Sequence, residues 1–429
     1  MRILIATSHR NLVGGVEKYL EQILPALAGR GHQLALLYEY RFNPRIERID
    51  PLEPDIPNLG VEENSEDAAM HFARRWKPDV VYSQGLESAG LQSALLDEYP
   101  TVFYAHNYVG TCVSGEKCHA FPRAQPCDRE FGPACLALYH PRRCGGLNPA
   151  TMWSMYRRTD ERRAQLPEYA AILVASAHMR REYERHGVNP DRVHLAPLPN
   201  PHPVEADWAE VDGAERTAAG ARAAVPSKFI FLGRLTKLKG VAELLRAIPL
   251  AEKQLGRPLA LTVAGDGPER KRLEDLAAQN RLRVEFAGWM GGVRKKKLIA
   301  QADLLIVPSL WPEPFGLVGI EAGAFGLPAV AYDVGGISDW LIAGYSGELA
   351  PGQPPTIQGL ADAICRALSD PLHYARLCRG AREVAARFTL AVHLSKLESA
   401  LESALAYDQE TPKAGDGFPR VEVASGTEA

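Results

Sequence analysis

Two acids and two cations stand where chemistry is easiest to place. Trp311-Pro312-Glu313-Pro314-Phe315-Gly316-Leu317-Val318-Gly319-Ile320-Glu321 sets two carboxylates eight residues apart, directly after an apolar run ending at Pro308. Carboxylates accept hydrogen bonds from paired sugar hydroxyls. Eight residues is close to two helical turns, so Glu313 and Glu321 are expected to face one crevice, with the amides of Phe315, Gly316 and Leu317 free to donate at a helix N-terminus. Gly233-Arg234-Leu235-Thr236-Lys237-Leu238-Lys239-Gly240 adds Arg234, a planar fork for phosphate oxygens, and Lys239, a compact charge at the mouth of the next helix. Together these cations could neutralise a diphosphate. The ordinary alternatives are a helix-capping Glu313, a surface Glu321 and a solvated basic loop.

Three weaker signals accompany them. Gly14-Gly15 follows the first expected strand, and missing side chains there let backbone amides approach an anion. Gly265 lies in Ala264-Gly265-Asp266-Gly267-Pro268-Glu269, a strand end and turn against which a base or ribose could lie. His106 ends the run Tyr104-Ala105-His106. Each read alone is a turn or a core histidine. A glycosidase also needs two acids, but flanking the scissile bond at about 5–9.5 Å, and it gives Arg234 and Lys239 no role. The cations favour a phosphorylated leaving group.

The elements that must position these residues follow an alternating pattern of short apolar runs and amphipathic stretches, which calls for parallel sheets with helices on both faces. Strands are expected at 3–7, 33–38, 79–83, 101–105, 171–175 and 193–196, then at 229–232, 259–264, 284–287, 304–308 and 329–332. Pro25 is expected to kink the first helix. Residues 1–197 form one domain, 198–225 a proline- and alanine-rich linker and 226–390 a second domain. A helix at 391–407 and a disordered polar tail at 408–429 complete the chain. The loops after strands hold the candidate residues, as open α/β sheets require.

With 429 residues, 46% of them hydrophobic, the chain can bury two cores. Its 49 basic and 52 acidic residues leave a formal charge of −3, which offers no field for nucleic acid. No apolar run reaches the roughly 18–20 residues of a membrane span, and the expected location is cytoplasmic. Five of the seven cysteines, Cys112, Cys118, Cys127, Cys135 and Cys144, crowd the insertion 107–150, with gaps of five, eight, seven and eight residues. No C-x2-C knuckle marks zinc there, and metal binding, disulfides and reduced thiols all stay open, with His119 and His140 as further potential ligands. Basic runs at 157–158, 162–163 and 294–297 read first as solvated helix faces and second as peripheral contacts with an anionic membrane surface.

Taken together, these segments resemble the family 4 retaining glycosyltransferases, whose GT-B fold is α/β, with two facing Rossmann-like domains, parallel sheets and a central cleft. The resemblance rests on Gly14-Gly15-Val16-Glu17-Lys18-Tyr19, the segment to Ser176 with Gly187 and Asn200, Gly233-Arg234-Leu235 with Lys239-Gly240, Gly265-Asp266-Gly267-Pro268 and the two acids. It implies a nucleotide-sugar donor and a glycan or lipid-linked acceptor, with the first domain shaping the acceptor side. Arg234 and Lys239 would hold the diphosphate with amides near Gly14 and Gly15. Glu313 and the Phe315, Gly316 and Leu317 amides would hold the sugar, Glu321 the ribose, and main chain near Trp289 and Met290 the base. His106 would sit by the reacting sugar. The implied reaction retains anomeric configuration and needs no metal and no resident cofactor. Two departures stand out: Ser83-Gln84-Gly85 replaces a common histidine, and Asp339 replaces a common glutamate. A nucleotide-sugar epimerase and an inactive binder of the same fold remain alternatives. An oxidoreductase is disfavoured, because no G-x-G-x-x-G with its ribose-binding acid is present.

Overall fold

Short aliphatic runs bounded by turns become buried strands, because a parallel strand covered on both faces needs no polar alternation. The first half forms β1 (Arg2–His9), β2 (Gln33–Tyr40), β3 (Asn58–Gly60), β4 (Val80–Ser83), β5 (Thr101–Ala105), the small pair β6 (Cys118–His119) and β7 (Gln125–Pro126), then β8 (Ala171–Val174) and β9 (Val193–Leu195). The second half forms β10 (Lys228–Leu232), β11 (Ala260–Ala264), β12 (Val284–Gly288), β13 (Leu304–Val307), β14 (Ala329–Tyr332) and β15 (Gly347–Ala350). The structure, a computed structural model, describes residues 1–10, 15–40, 56–202 and 226–410. Gly14, most of the expected linker and the tail beyond 410 lie outside the described residues.

Two parallel sheets result, ordered β3-β2-β1-β4-β5-β8-β9 and β12-β11-β10-β13-β14-β15. Alternation along β1 shows how the first is covered. Ile3 and Ile5 pack with the helix Gly15–Gly29, while Leu4 and Ala6 pack with Ala69, Met70, Leu91 and Leu95 of the helices on the opposite face. Strand order reverses between β1 and β4 and again between β10 and β13. At such a reversal the helices leave in opposite directions and open a crevice beyond the strand ends.

The carboxyl ends of the two sheets face each other. Tyr108 beyond β5 donates its hydroxyl to Pro312 O at 2.7 Å, and Ser176 beyond β8 donates to Pro314 O at 2.5 Å. Asp339, beyond β14, accepts the amide of Ala177 at 2.6 Å and so caps the helix Ala177–Arg185 from the other domain. The domain crossings are strapped together where Asn200 N donates to Phe388 O at 2.7 Å.

Several elements differ from the sequence reading. β3 and β15 are short edge strands whose few residues carry little period, and β6 and β7 hold only two residues each. Pro25 lies inside a helix that continues to Gly29. The last helix, Leu390–Glu410, runs beyond residue 407 and returns to the first domain, where Leu394, Leu397 and Leu401 join the core beneath β1, β4 and β5. Glu398 of that helix pairs with Arg30 at 2.5 Å.

Candidate functional site

The second crevice is built by the two loops leaving β10 and β13, the strands on either side of the reversal. The first loop is wedged between neighbours by backbone contact. Leu235 N donates to Asp266 O at 2.8 Å and Leu310 N donates to Leu238 O at 2.7 Å. Gly240 has φ 68°, and a Cβ there would lie 1.7 Å from Pro308 O. A Cβ on Gly265 would similarly lie 1.8 Å from Gly233 O, and Gly265 N donates to Gly288 O at 2.7 Å. These glycines bring four strand ends together, so Gly265 acts by close approach within the protein.

Glu313 and Lys239 meet directly. The Lys239 ammonium lies 2.6 Å from Glu313 Oε1, and the Ser309 hydroxyl donates to the same oxygen at 2.5 Å. Lys239 also lies 5.2 Å from the ring centroid of Trp311. Glu313 is buried, yet its Oε2 has no hydrogen-bond partner among the described residues. Gly336 N donates to Glu313 O at 2.7 Å and the Trp340 indole donates to Phe315 O at 2.7 Å, which braces the acidic loop from behind.

Glu321 sits in the helix Leu317–Ala324 and is also buried. Its Oε2 is paired with the ammonium of Lys295. The helical-period argument does not relate the two acids, because Glu313 precedes the helix and Gly316, at φ 90°, turns the chain into it. The loop, rather than a shared helix face, directs Glu313. Among the described residues the amides of Phe315, Gly316 and Leu317 have no acceptor, as the first turn of a helix requires. Arg234 is exposed and has no ion pair or hydrogen-bonded side-chain partner among the described residues. Exposed Arg234 and buried Glu321 are joined to the Lys239–Glu313 pair by no direct bond.

From the first domain come His106, Tyr108 and Gly15. His106 follows β5, and its Nε2 lies 2.8 Å from the side-chain amide of Gln84. Burial first, then the nearby His393, pushes its pKa down to about 3, which keeps the imidazole neutral. Tyr104 packs against it, the rings tilted by 33° with centroids 4.5 Å apart. Tyr19 lies at 5.2 Å and bonds both Tyr82, at 2.6 Å, and His393 of the last helix, at 2.7 Å. Gln84 occupies the position of one sequence departure and now has a role as the partner of His106. Tyr108 carries the strand end to Pro312, next to Glu313. Gly15 begins the helix that carries Lys18, whose ammonium lies 5.7 Å from the exposed ring of Trp289 across the cleft. Met290, half-buried, follows Trp289 at the end of β12.

Sequence reasoning missed Ser309, Lys295, Gln84 and Tyr108. Gln84 directly follows β4 and Ser309 stands two residues beyond β13, a positional signal that was available. Lys295 was hidden in a basic run, and nothing local separates it from its neighbours.

The insertion 107–150 is anchored by side chains. Lys117 forms an ion pair with Glu182, both 2% exposed, and donates to Arg129 O at 2.5 Å. His186 accepts Phe131 N at 2.9 Å and donates to Glu182 O at 2.7 Å. All seven cysteines are free thiols. Burial raises the Cys144 thiol to about 12, and its sulfur lies 3.6 Å from His119 Nδ1. Among the described residues no three His, Cys, Asp or Glu side chains form a group able to hold a metal ion. Cys118 lies 3.7 Å from Leu310 O, so the insertion borders the acidic loop. No helix among the described residues is long and apolar enough to cross a membrane.

Comparison with known proteins adds to this geometry. Residues 13–199 match the family model "Glycosyltransferase Family 4" and residues 218–384 match "Glycosyl transferases group 1". An alpha-D-kanosaminyltransferase of Streptomyces kanamyceticus is 30% identical over 275 residues, covering 61% of this chain and 68% of that protein. A glycogen synthase of Mycobacterium tuberculosis is 34% identical over 160 residues, 37% of this chain and 38% of the synthase, so the match spans little more than a third of its length. The crystal structure of Anabaena HepE in complex with UDP superposes with a TM-score of 0.66 at 18% identity, covering 94% of this chain and all of that one, which shows the same GT-B fold.

Proposed function

This chain belongs to the group 1 glycosyltransferases with a family 4 N-terminal domain, and from that premise we propose that it moves a hexose-type sugar from a nucleotide-diphosphate donor to a hydroxyl of a glycan or lipid-linked acceptor, with retention of configuration. One observation carries the reading. In the loops that leave the strand-order reversal, the buried Glu313 carboxylate keeps one oxygen on Lys239, while among the described residues its other oxygen, the amides of Phe315 to Leu317 and the exposed Arg234 have no partner.

An ammonium has three donors, so Lys239 can hold Glu313 and still donate to the departing diphosphate. Arg234 adds its fork. Charge developing on the leaving group would meet cations already in place, the arrangement that lowers a barrier without reorganisation. The departing diphosphate would accept the acceptor's proton, and no metal is assigned to this step. The open Oε2 of Glu313 and the Phe315 to Leu317 amides suit sugar hydroxyls. His106, held neutral by burial and bonded through Nε2 to Gln84, offers an imidazole without a charge. Acceptor binding is assigned to the first domain, near the insertion. Peripheral membrane contact belongs to the same proposal, through exposed Trp153 beside Arg157 and Arg158; sedimentation that is indifferent to anionic vesicles would remove it.

The test is transfer by Glu313→Ala and Arg234→Ala. Both should lose transfer while keeping the far-ultraviolet dichroism of the unaltered chain. Full transfer by either variant contradicts the assignment. Donor isomerisation without acceptor would make the enzyme an epimerase, and saturable binding with neither reaction an inactive binder.

A further inference from the structure

Proline on both sides of Glu313 leaves its loop few amides with which to hold itself, since Pro312 and Pro314 carry no N–H. The carbonyls do the holding instead. Four consecutive ones accept hydrogen bonds: Pro312 O from the Tyr108 hydroxyl at 2.7 Å, Glu313 O from Gly336 N at 2.7 Å, Pro314 O from the Ser176 hydroxyl at 2.5 Å and Phe315 O from the Trp340 indole at 2.7 Å. Gly336 and Trp340 belong to the second domain, whereas Tyr108 and Ser176, both buried, reach across from the first. The carbonyls on either side of the acid are thus the two that the first domain takes.

One helix, Ala177–Arg185, sets both hydroxyls. Ser176 is its N-cap, and its Oγ accepts Met179 N at 3.2 Å. His178, in the first turn, lies 2.9 Å through Nε2 from the Tyr108 hydroxyl. The Tyr183 hydroxyl lies 3.2 and 3.1 Å from the carbonyls of Asn107 and Val109, on either side of Tyr108. Fixing the peptide on each side of a residue fixes the direction of its side chain, and a binding carboxylate must be held within about 0.5 Å to serve its ligand. Among the described residues neither hydroxyl is bonded to Arg234 or Lys239, the cations assigned to the diphosphate.

We propose that Tyr108 and Ser176 are positioning residues for Glu313, so that the first domain aims the sugar-holding carboxylate of the second while the diphosphate cations stand without its help. The proposal rests on the reading of this cleft as a nucleotide-sugar site. Loss of either hydroxyl leaves a buried carbonyl without its donor and frees one flank of the acid. Lys239 is bonded to Glu313, but its ammonium keeps two further donors for phosphate wherever the acid points.

The experiment is calorimetric titration of UDP, GDP and ADP, and of UDP-glucose, GDP-mannose and ADP-glucose, into the unaltered chain, Tyr108→Phe, Ser176→Ala and the double variant. Absence of binding by every one of these ligands to the unaltered chain defeats the parent reading and is seen before any variant is tested. Given binding, Tyr108→Phe, which keeps the ring that packs against Trp311, should weaken the nucleotide sugar by about tenfold and its diphosphate by less than about threefold. Ser176→Ala should show the same split and serves if the phenylalanine variant does not fold. The double variant should show a larger one. A variant that merely loosens the fold weakens both ligands together. Equal weakening of nucleotide sugar and diphosphate, or an unchanged ratio between them, overturns the proposal.

Discussion

The loops beyond β10 and β13 of the second domain and the cysteine-rich insertion of the first border the same cleft but are held in opposite ways. Around Arg234, Lys239 and Glu313, backbone touches backbone: Gly240 against Pro308, Gly265 against Gly233, Gly336 against Glu313. Between residues 107 and 150, side chains do the holding, through Lys117, Glu182 and His186. Backbone locking leaves a local mark, because glycine must stand where a Cβ will not fit. Side-chain anchoring over 65 positions leaves none.

That contrast can be broken by substitution. Lys117→Met should have the largest effect, about 3–5 kcal/mol in a denaturant titration, because it removes the buried counter-charge of Glu182 and leaves that carboxylate only the more exposed Arg185, at 3.5 Å. A loss below about 1 kcal/mol would mean that the insertion is held elsewhere. Gly240→Ala comes next, at about 2–4 kcal/mol from a left-handed backbone and overlap with Pro308 O. It should also weaken nucleotide binding, since the loop it closes carries Arg234 and Lys239.

Acid gives a third comparison. His393 and His106 are held neutral, with burial pushing their pKa values to about 4 and about 3. An unfolded chain binds protons at these sites below about pH 6.5 whereas the folded chain does not, so stability should fall as pH drops from about 6.5 towards 4. His393→Gln removes one such group and should flatten that slope; an unchanged slope would show that His393 charges within the fold. The smallest expected effect is that of Cys127→Ser, under about 1 kcal/mol, because the thiol is only half-buried and the anchoring is assigned to Lys117. A loss comparable to that of Lys117→Met would shift the anchoring to the thiols and reopen the question of a metal.

The fold was legible because buried parallel strands are short, apolar and regularly spaced. Runs such as 101–105 and 329–332 could be bounded to the residue. Short edges such as β3 were not, since three residues cannot show a period. Candidate site residues could be chosen beyond strand ends, at Arg234, Lys239, Glu313 and His106, and in the helix that follows, at Glu321; of these the structure joins Lys239 and Glu313 directly. Their other partners could not. Lys295 looks like any residue of a solvated basic run, and only tertiary packing turns it towards Glu321. The return of the last helix to the first core was equally hidden, because Leu394, Leu397 and Leu401 mark an apolar face without naming what covers it.

The central claim is that cations and acids beyond β10 and β13 form one nucleotide-sugar site. Titration of nucleotide sugars into the unaltered chain and into an Arg234→Ala, Glu313→Ala double variant tests it most directly. Saturable binding by at least one donor, weakened by more than about a hundredfold in the double variant, is the predicted result. Binding that survives removal of both side chains, or a chain that binds no nucleotide sugar, would contradict it.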